Sequence, residues 1–144
     1  MKAAASANSL LVYAGDVATP RPVLVVDQDL DARIILRGLL EHHGYDTLEA
    51  VDADVALDLA RDRDVSLIVS ELFVPCERGS TCFVESIRAD RALSAIPVLV
   101  VTTRAFDEDE QRARRAGSAG YMVKPFAAMD VMAEVSRLVN TSAR

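Results

Sequence analysis

Short runs of β-branched and aliphatic residues recur along most of this chain, separated by amphipathic stretches. Val23–Val26, Thr47–Ala50, Leu67–Val69, Ile96–Val101 and Tyr121–Val123 are each too short and too β-rich for helices and read as strands. Asp29 can cap a helix with Ile34, Ile35, Leu39 and Leu40 on its inner side, stopped by Gly44. Asp52 or Asp54 begins a second, carrying Val55, Leu57, Leu59 and Ala60. Pro75 and Gly79 mark a loop, and a third helix is expected from about Ser80 through Phe83, Val84 and Ile87 to Ala89. The fourth, about Phe106–Ala116, opens on Asp107-Glu108-Asp109-Glu110 and closes on Arg112, Arg114 and Arg115. Acid first and base last suits the helix dipole, and Glu108–Arg112 and Glu110–Arg114 are expected as i,i+4 pairs. Met129, Met132, Val135, Leu138 and Val139 give the last helix its spacing.

Five strand–helix units in strict alternation imply a parallel sheet with helices on both faces, joined by right-handed crossovers. The expected fold is α/β, a flavodoxin-like doubly wound (βα)5 domain with strand order 2-1-3-4-5. Four of the strands end in polar residues. The first runs into Asp27, the third into Ser70-Glu71, the fourth into Thr102 and the fifth into Lys124. In that order the tips carrying Asp27, Glu71, Thr102 and Lys124 meet at the carboxyl edge of the sheet, beside the switch point where such folds place their chemistry.

The 144 residues are enough for one domain, and the 51% hydrophobic content suits a compact globule. Residues 1–22 are rich in Ala, Ser and Asn and close on two prolines. They read as an arm or linker before a domain at 23–140 and a short tail at 141–144. The arm's apolar patch, Leu10–Tyr13, makes a poor signal peptide, and no run approaches the roughly 20 residues that cross a bilayer. A net charge of −6 argues against general binding to nucleic acid. Cys76 and Cys82 match no zinc spacing and read as small buried or half-buried thiols, and His42-His43 suit a helix end rather than a metal. These features point to a cytoplasmic protein.

VLVVDQD at the first strand, the P-x-x-x-G loop at Pro75–Gly79, PVLVVTT at Pro97–Thr103 and AGSAGYMVKPF at Ala116–Phe126 together resemble the receiver domain of two-component response regulators. The chain is similar to the single-domain chemotaxis receivers. The resemblance implies an acidic pair that helps to hold magnesium, and a strand-tip Asp that takes a phosphoryl group from a partner histidine kinase. It also implies a Thr and a Lys that meet the phosphoryl oxygens, and an aromatic switch residue. By position these are Asp27 for the first acidic residue, Thr102, Lys124 and Tyr121. A metal would be held by Asp27, Glu71 and the backbone of Phe73. The resemblance also implies a cis Lys124–Pro125 bond.

Two positions depart from that pattern: Gln28 stands in the acidic pair and Glu71 at the phosphoacceptor position. Gln28 removes a negative charge from a site for a hard cation, so magnesium is expected to bind weakly, with no other cofactor. Glu71 is longer than Asp by a methylene, about 1.5 Å, which moves the nucleophile out of position for in-line transfer. Glu71 could imitate the phosphorylated state through Lys124 and Thr102, or simply pair with Lys124 and leave the switch at rest. A carboxylate carries one charge and two oxygens, against a phosphoryl group's nearly two charges and three oxygens. That difference favours the resting arrangement.

The expectation is a non-enzymatic receiver-like module that signals by binding proteins. Its surface is that of the fourth helix, fifth strand and fifth helix, roughly 106–117, 121–123 and 127–139. A histidine kinase is one candidate partner and a second copy another, with no direct contact to nucleic acid or membrane. The chain's end just after the fifth helix suggests no output domain. The alternatives are a working magnesium-dependent phosphoacceptor using Glu71 or another carboxylate, and a small-molecule binder of the flavodoxin type. The acidic loop Asp27–Asp31 disfavours the latter for any phosphate-bearing ligand.

Overall fold

The computed structural model describes residues 21–77 and 79–142, so the expectations for the arm before Arg21 lie outside the described residues. The elements run β1 (Val23–Val26), α1 (Leu30–His42), β2 (Thr47–Ala50), α2 (Ala53–Asp62), β3 (Leu67–Ser70), β4 (Phe73–Cys76), β5 (Gly79–Cys82), α3 (Phe83–Ala89), β6 (Val98–Thr102), α4 (Asp107–Ala116), β7 (Gly120–Val123) and α5 (Ala128–Ser142). Five of the strands form one parallel sheet in the order β2-β1-β3-β6-β7. Counting only these five, the order is 2-1-3-4-5, as expected.

The sheet is buried on both faces, which is why β1, β3 and β6 are buried along their whole length and read as apolar runs up to their polar ends rather than alternating. On one face Leu24, Val26, Ile68 and Val100 pack against Phe83, Val84 and Ile87 of α3 and the alanines of α2. On the other, Val25, Val69, Leu99 and Val101 pack against Leu36 and Leu40 of α1 and Val131, Val135 and Leu138 of α5. Asp29 and Asp52 cap α1 and α2, their side chains accepting from the amides of Asp31 and Val55. His42 ends α1, and the adjacent His43 sets Nδ1 against the carbonyl of Leu39.

Several expected faces are corrected. Ile34 and Ile35 are 55% and 59% exposed, and Leu36 and Leu40 are the buried residues of α1. Consecutive helical residues lie about 100° apart, so Ile34-Ile35-Leu36 cannot all face the sheet. In α2 the buried positions are Ala53, Ala56 and Ala60, which bring the helix close to the sheet, while Val55 is exposed. Met129 on α5 points outward and Val131 takes the inner position. The fourth parallel strand starts at Val98 and takes in Thr102.

The largest departure is a hairpin where a loop and the start of a helix were expected. β4 and β5 pair antiparallel, with Phe73 opposite Cys82 and Cys76 opposite Gly79, so α3 begins only at Phe83. Pro75 is tolerated because this two-stranded unit is all edge. The register puts the two cysteines at opposite ends of the hairpin, both free: Cys82 is buried and Cys76 half-buried.

Candidate functional site at the strand tips

The parallel register delivers β1, β3, β6 and β7 to one edge. Val26 lies beside Ser70, Ser70 beside Val100, and Thr102 beside Val123. The next residues, Asp27, Glu71 and Lys124, converge. Lys124 Nζ donates to Asp27 Oδ2 at 2.7 Å and to Glu71 Oε2 at 3.3 Å. The Lys124–Pro125 peptide is cis.

Each remaining carboxylate oxygen also has a donor. Asp27 Oδ1 accepts from the Asp29 amide at 2.9 Å, and Glu71 Oε1 accepts from the Leu72 amide at 2.8 Å. The longer glutamate side chain therefore curls back onto its own strand end. Burial alone would lower the Lys124 pKa, but the hydrogen bond and charge of Asp27, with the charge of Glu71, outweigh it and leave the ammonium held above its ordinary value.

Thr102 is fully buried, and its hydroxyl oxygen accepts from the Arg104 amide at 3.3 Å. Tyr121 donates its hydroxyl proton to the Arg104 carbonyl at 2.7 Å. Burial, followed by the carboxylates of Asp109, Glu110 and Glu71, raises the phenol's pKa, so it stays a donor. Thr102 and Tyr121 thus meet at the backbone of one residue, Arg104. Glu71, Phe73, Thr102, Thr103 and Arg104 line a shallow cleft there.

Gln28 is exposed. Its backbone carbonyl and that of Asp27 both accept from Arg33 Nη1, at 3.2 and 2.8 Å, and Arg33 Nε pairs with Glu49 at 3.0 Å. Nothing local in the sequence marks Arg33 or Arg104. Their partners lie on other elements, and an arginine on an exposed helix or loop carries no local signal.

A divalent cation fits this arrangement poorly. The ammonium of Lys124 already sits against both carboxylates, and all four carboxylate oxygens accept a hydrogen bond from the protein. Among the described residues no group of three or more His, Cys, Asp or Glu side chains is placed to hold a metal ion.

Residues 23–136 match the family described as the response regulator receiver domain. The chain belongs to this family. It is 33% identical over 117 residues to the chemotaxis protein CheY-3 of Vibrio cholerae, covering 81% of this chain and 89% of that protein. It is 35% identical over 107 residues to the polar-differentiation response regulator DivK of Brucella anthropi, covering 74% and 85%. Among solved structures, Vibrio cholerae CheY4 superimposes with a TM-score of 0.74 at 27% identity, covering 83% of this chain and 99% of that one. The receiver domain of NtrX from Brucella abortus gives 0.75 at 28% identity, covering 83% and 98%.

As a receiver domain the chain is a signalling module of the two-component type, and modules of this family work on protein partners. Among the described residues no helix is long and apolar enough to cross a membrane.

Proposed function

We propose that this receiver domain signals through protein–protein contact without conventional aspartyl phosphorylation, with its strand-tip site held in a resting, self-neutralised arrangement. The observation that carries this reading is the folded-back carboxylate of Glu71. One oxygen is tied to the Leu72 amide and the other to Lys124, while the Thr102 hydroxyl is turned to Arg104. Both oxygens of Glu71 are thus engaged by donors of the chain rather than left free to act as a nucleophile. With Gln28 in the acidic pair, the site lacks the charge that draws a hard cation. Magnesium binding is weak in this reading.

The partner surface we assign is 106–117, 121–123 and 127–139. Its support is exposed apolar area: Phe106 is 71% exposed and Met129 83%, with Val123 beside the strand tips at 38%. A second apolar set, Leu30, Ile34 and Ile35 of α1, borders the strand tips and suits a helical partner such as the helices of a histidine kinase.

The test is incubation of the intact chain with a small acyl phosphate and magnesium, read by intact mass. The expected spectrum is that of the unmodified chain. A robust phosphoryl adduct on Glu71 or another carboxylate overturns the reading in favour of a working phosphoacceptor, for which Asp27, Thr102 and Lys124 are already in place.

A further inference from the structure

Phe73 follows Glu71 by two residues and opens the hairpin. Two guanidinium groups lie over its ring: the Arg104 Cζ is 5.1 Å from the centroid and the Arg112 Cζ 4.9 Å. Both are within the roughly 6 Å at which a cation is attracted to an aromatic face. Arg104 belongs to the loop after β6 and Arg112 to α4. The ring is therefore where the strand end carrying Glu71 meets the helix of the proposed partner surface.

α4 has few other attachments. Its only buried residue is Ala113. Arg104 pairs with Asp109 at 3.3 Å near the helix start, and the half-buried Arg88 side chain donates to the Gly117 carbonyl at its end. A helix so polar gains little from burial, so a stacked contact on its middle turn weighs heavily in fixing its position. The expected Glu108–Arg112 pair gives way to this contact.

On the same strand end, Glu71 Oε1 accepts from the amide of Leu72, the residue just before Phe73. Leu72 and Val74 are fully buried on either side of Phe73, which leaves the Phe73 side chain on the opposite, outer face of the strand.

We propose that the Phe73 ring, gripped by Arg104 and Arg112, is a positioning link that passes the arrangement of the Glu71 carboxylate to α4, by a route separate from the Thr102 and Tyr121 hydroxyls. It rests on the reading of Glu71 as a resting, self-tied carboxylate, and it gives that residue a means of acting on the partner surface without any phosphoryl group.

The experiment is amide hydrogen exchange of the intact chain by mass spectrometry, comparing residues 107–116 with the sheet core. Phe73→Leu and Arg112→Gln should each speed exchange in α4 about two- to fivefold, the size of a partly exposed cation–π contact, while β1 and β3 keep their protection. Glu71→Ala should speed α4 in the native background and add much less in the Phe73→Leu background. If neither Phe73→Leu nor Arg112→Gln alters α4 exchange, or if Glu71→Ala has the same effect in both backgrounds, the link does not exist. No step of this measurement uses phosphoryl transfer. A labelled native chain would therefore overturn the proposed function and leave this result standing, and the reverse holds as well.

Discussion

Lys124 lies closer to Asp27 than to Glu71: its ammonium is 2.7 Å from Asp27 Oδ2 against 3.3 Å from Glu71 Oε2, and the Asp27 side chain is only 6% exposed against 21% for Glu71. The first acidic residue, rather than the residue at the phosphoacceptor position, is therefore the main counter-charge of the site.

This asymmetry predicts the order of two substitutions. Asp27→Asn leaves the half-buried ammonium with its weaker partner and should cost about 1–3 kcal/mol. Glu71→Gln removes a longer, more exposed contact and should cost less than about 1 kcal/mol. Relief of repulsion between the two carboxylates is common to both variants and drops out of the comparison. Urea unfolding at neutral pH reads both, and equal costs or a reversed order would show that Glu71 anchors the lysine.

The raised pKa of Lys124 has an alkaline consequence. A cation whose folded pKa lies above its ordinary 10.5 keeps its proton more tightly in the folded chain. Its contribution to stability is complete below that ordinary value and is lost as pH rises through the folded one. The urea midpoint should fall from about pH 9 to about pH 12, and less steeply in Asp27→Asn, where the lysine has lost its main support. The Tyr121 phenol, also raised, acts in the same direction, so the comparison is made in a Tyr121→Phe background. An unchanged slope on losing Asp27 would refute the assignment.

Arg88 brackets the far end of α4. Its guanidinium donates to the carbonyls of Ser94, Ile96 and Gly117, with no carboxylate partner among these contacts, and burial lowers its pKa. Gly117 has φ +111, and a Cβ there would come within 2.8 Å of the Arg88 side chain. Arg88→Met keeps most of the apolar stem but orphans the carbonyls. It should cost about 2 kcal/mol or more, and Arg88→Lys should recover only part of that. A loss below about 0.5 kcal/mol for Arg88→Met would mean that water satisfies those carbonyls equally well.

The parts that were legible in the sequence are those with local signals. Val23–Val26 and Leu67–Val69 are continuous apolar runs with polar ends, and the parallel order then brings Asp27, Glu71, Thr102 and Lys124 to one edge. Asp29 and Asp52 announce their helices because a cap bonds within its own first turn. What stayed hidden depends on distant partners. Arg33 finds Glu49 from 16 positions away, and Arg104 and Arg112 find Phe73 from another element. Pro75 and Gly79 are turn residues and signal a loop, although Phe73, Val74 and Cys76 around them are good strand formers and build the β4–β5 hairpin. Ile34 and Ile35 turn outward, and an apolar pair on a helix does not say which of its neighbours completes the buried stripe.

The site's chemistry makes a final prediction about repair. In the proposed reading, Glu71→Asp shortens the side chain, loosens its hold on the Leu72 amide and restores the nucleophile's position. Alone, it leaves the cation site a charge short and Lys124 clamped on Asp27. Gln28→Asp alone adds the charge at an exposed position, where it costs the fold little, but the nucleophile remains misplaced. Charge and position act on one transition state, so the two changes should be strongly non-additive. Each single variant should stay near the native chain in labelling by acyl phosphate with magnesium, while the double variant should label at least about tenfold faster, with the adduct on residue 71. If Glu71→Asp alone labels as fast as the double variant, charge at position 28 does not matter. If the double variant stays inert with its fold intact, the block lies in the β4–β5 hairpin, which would hold residue 71 out of line whatever its length.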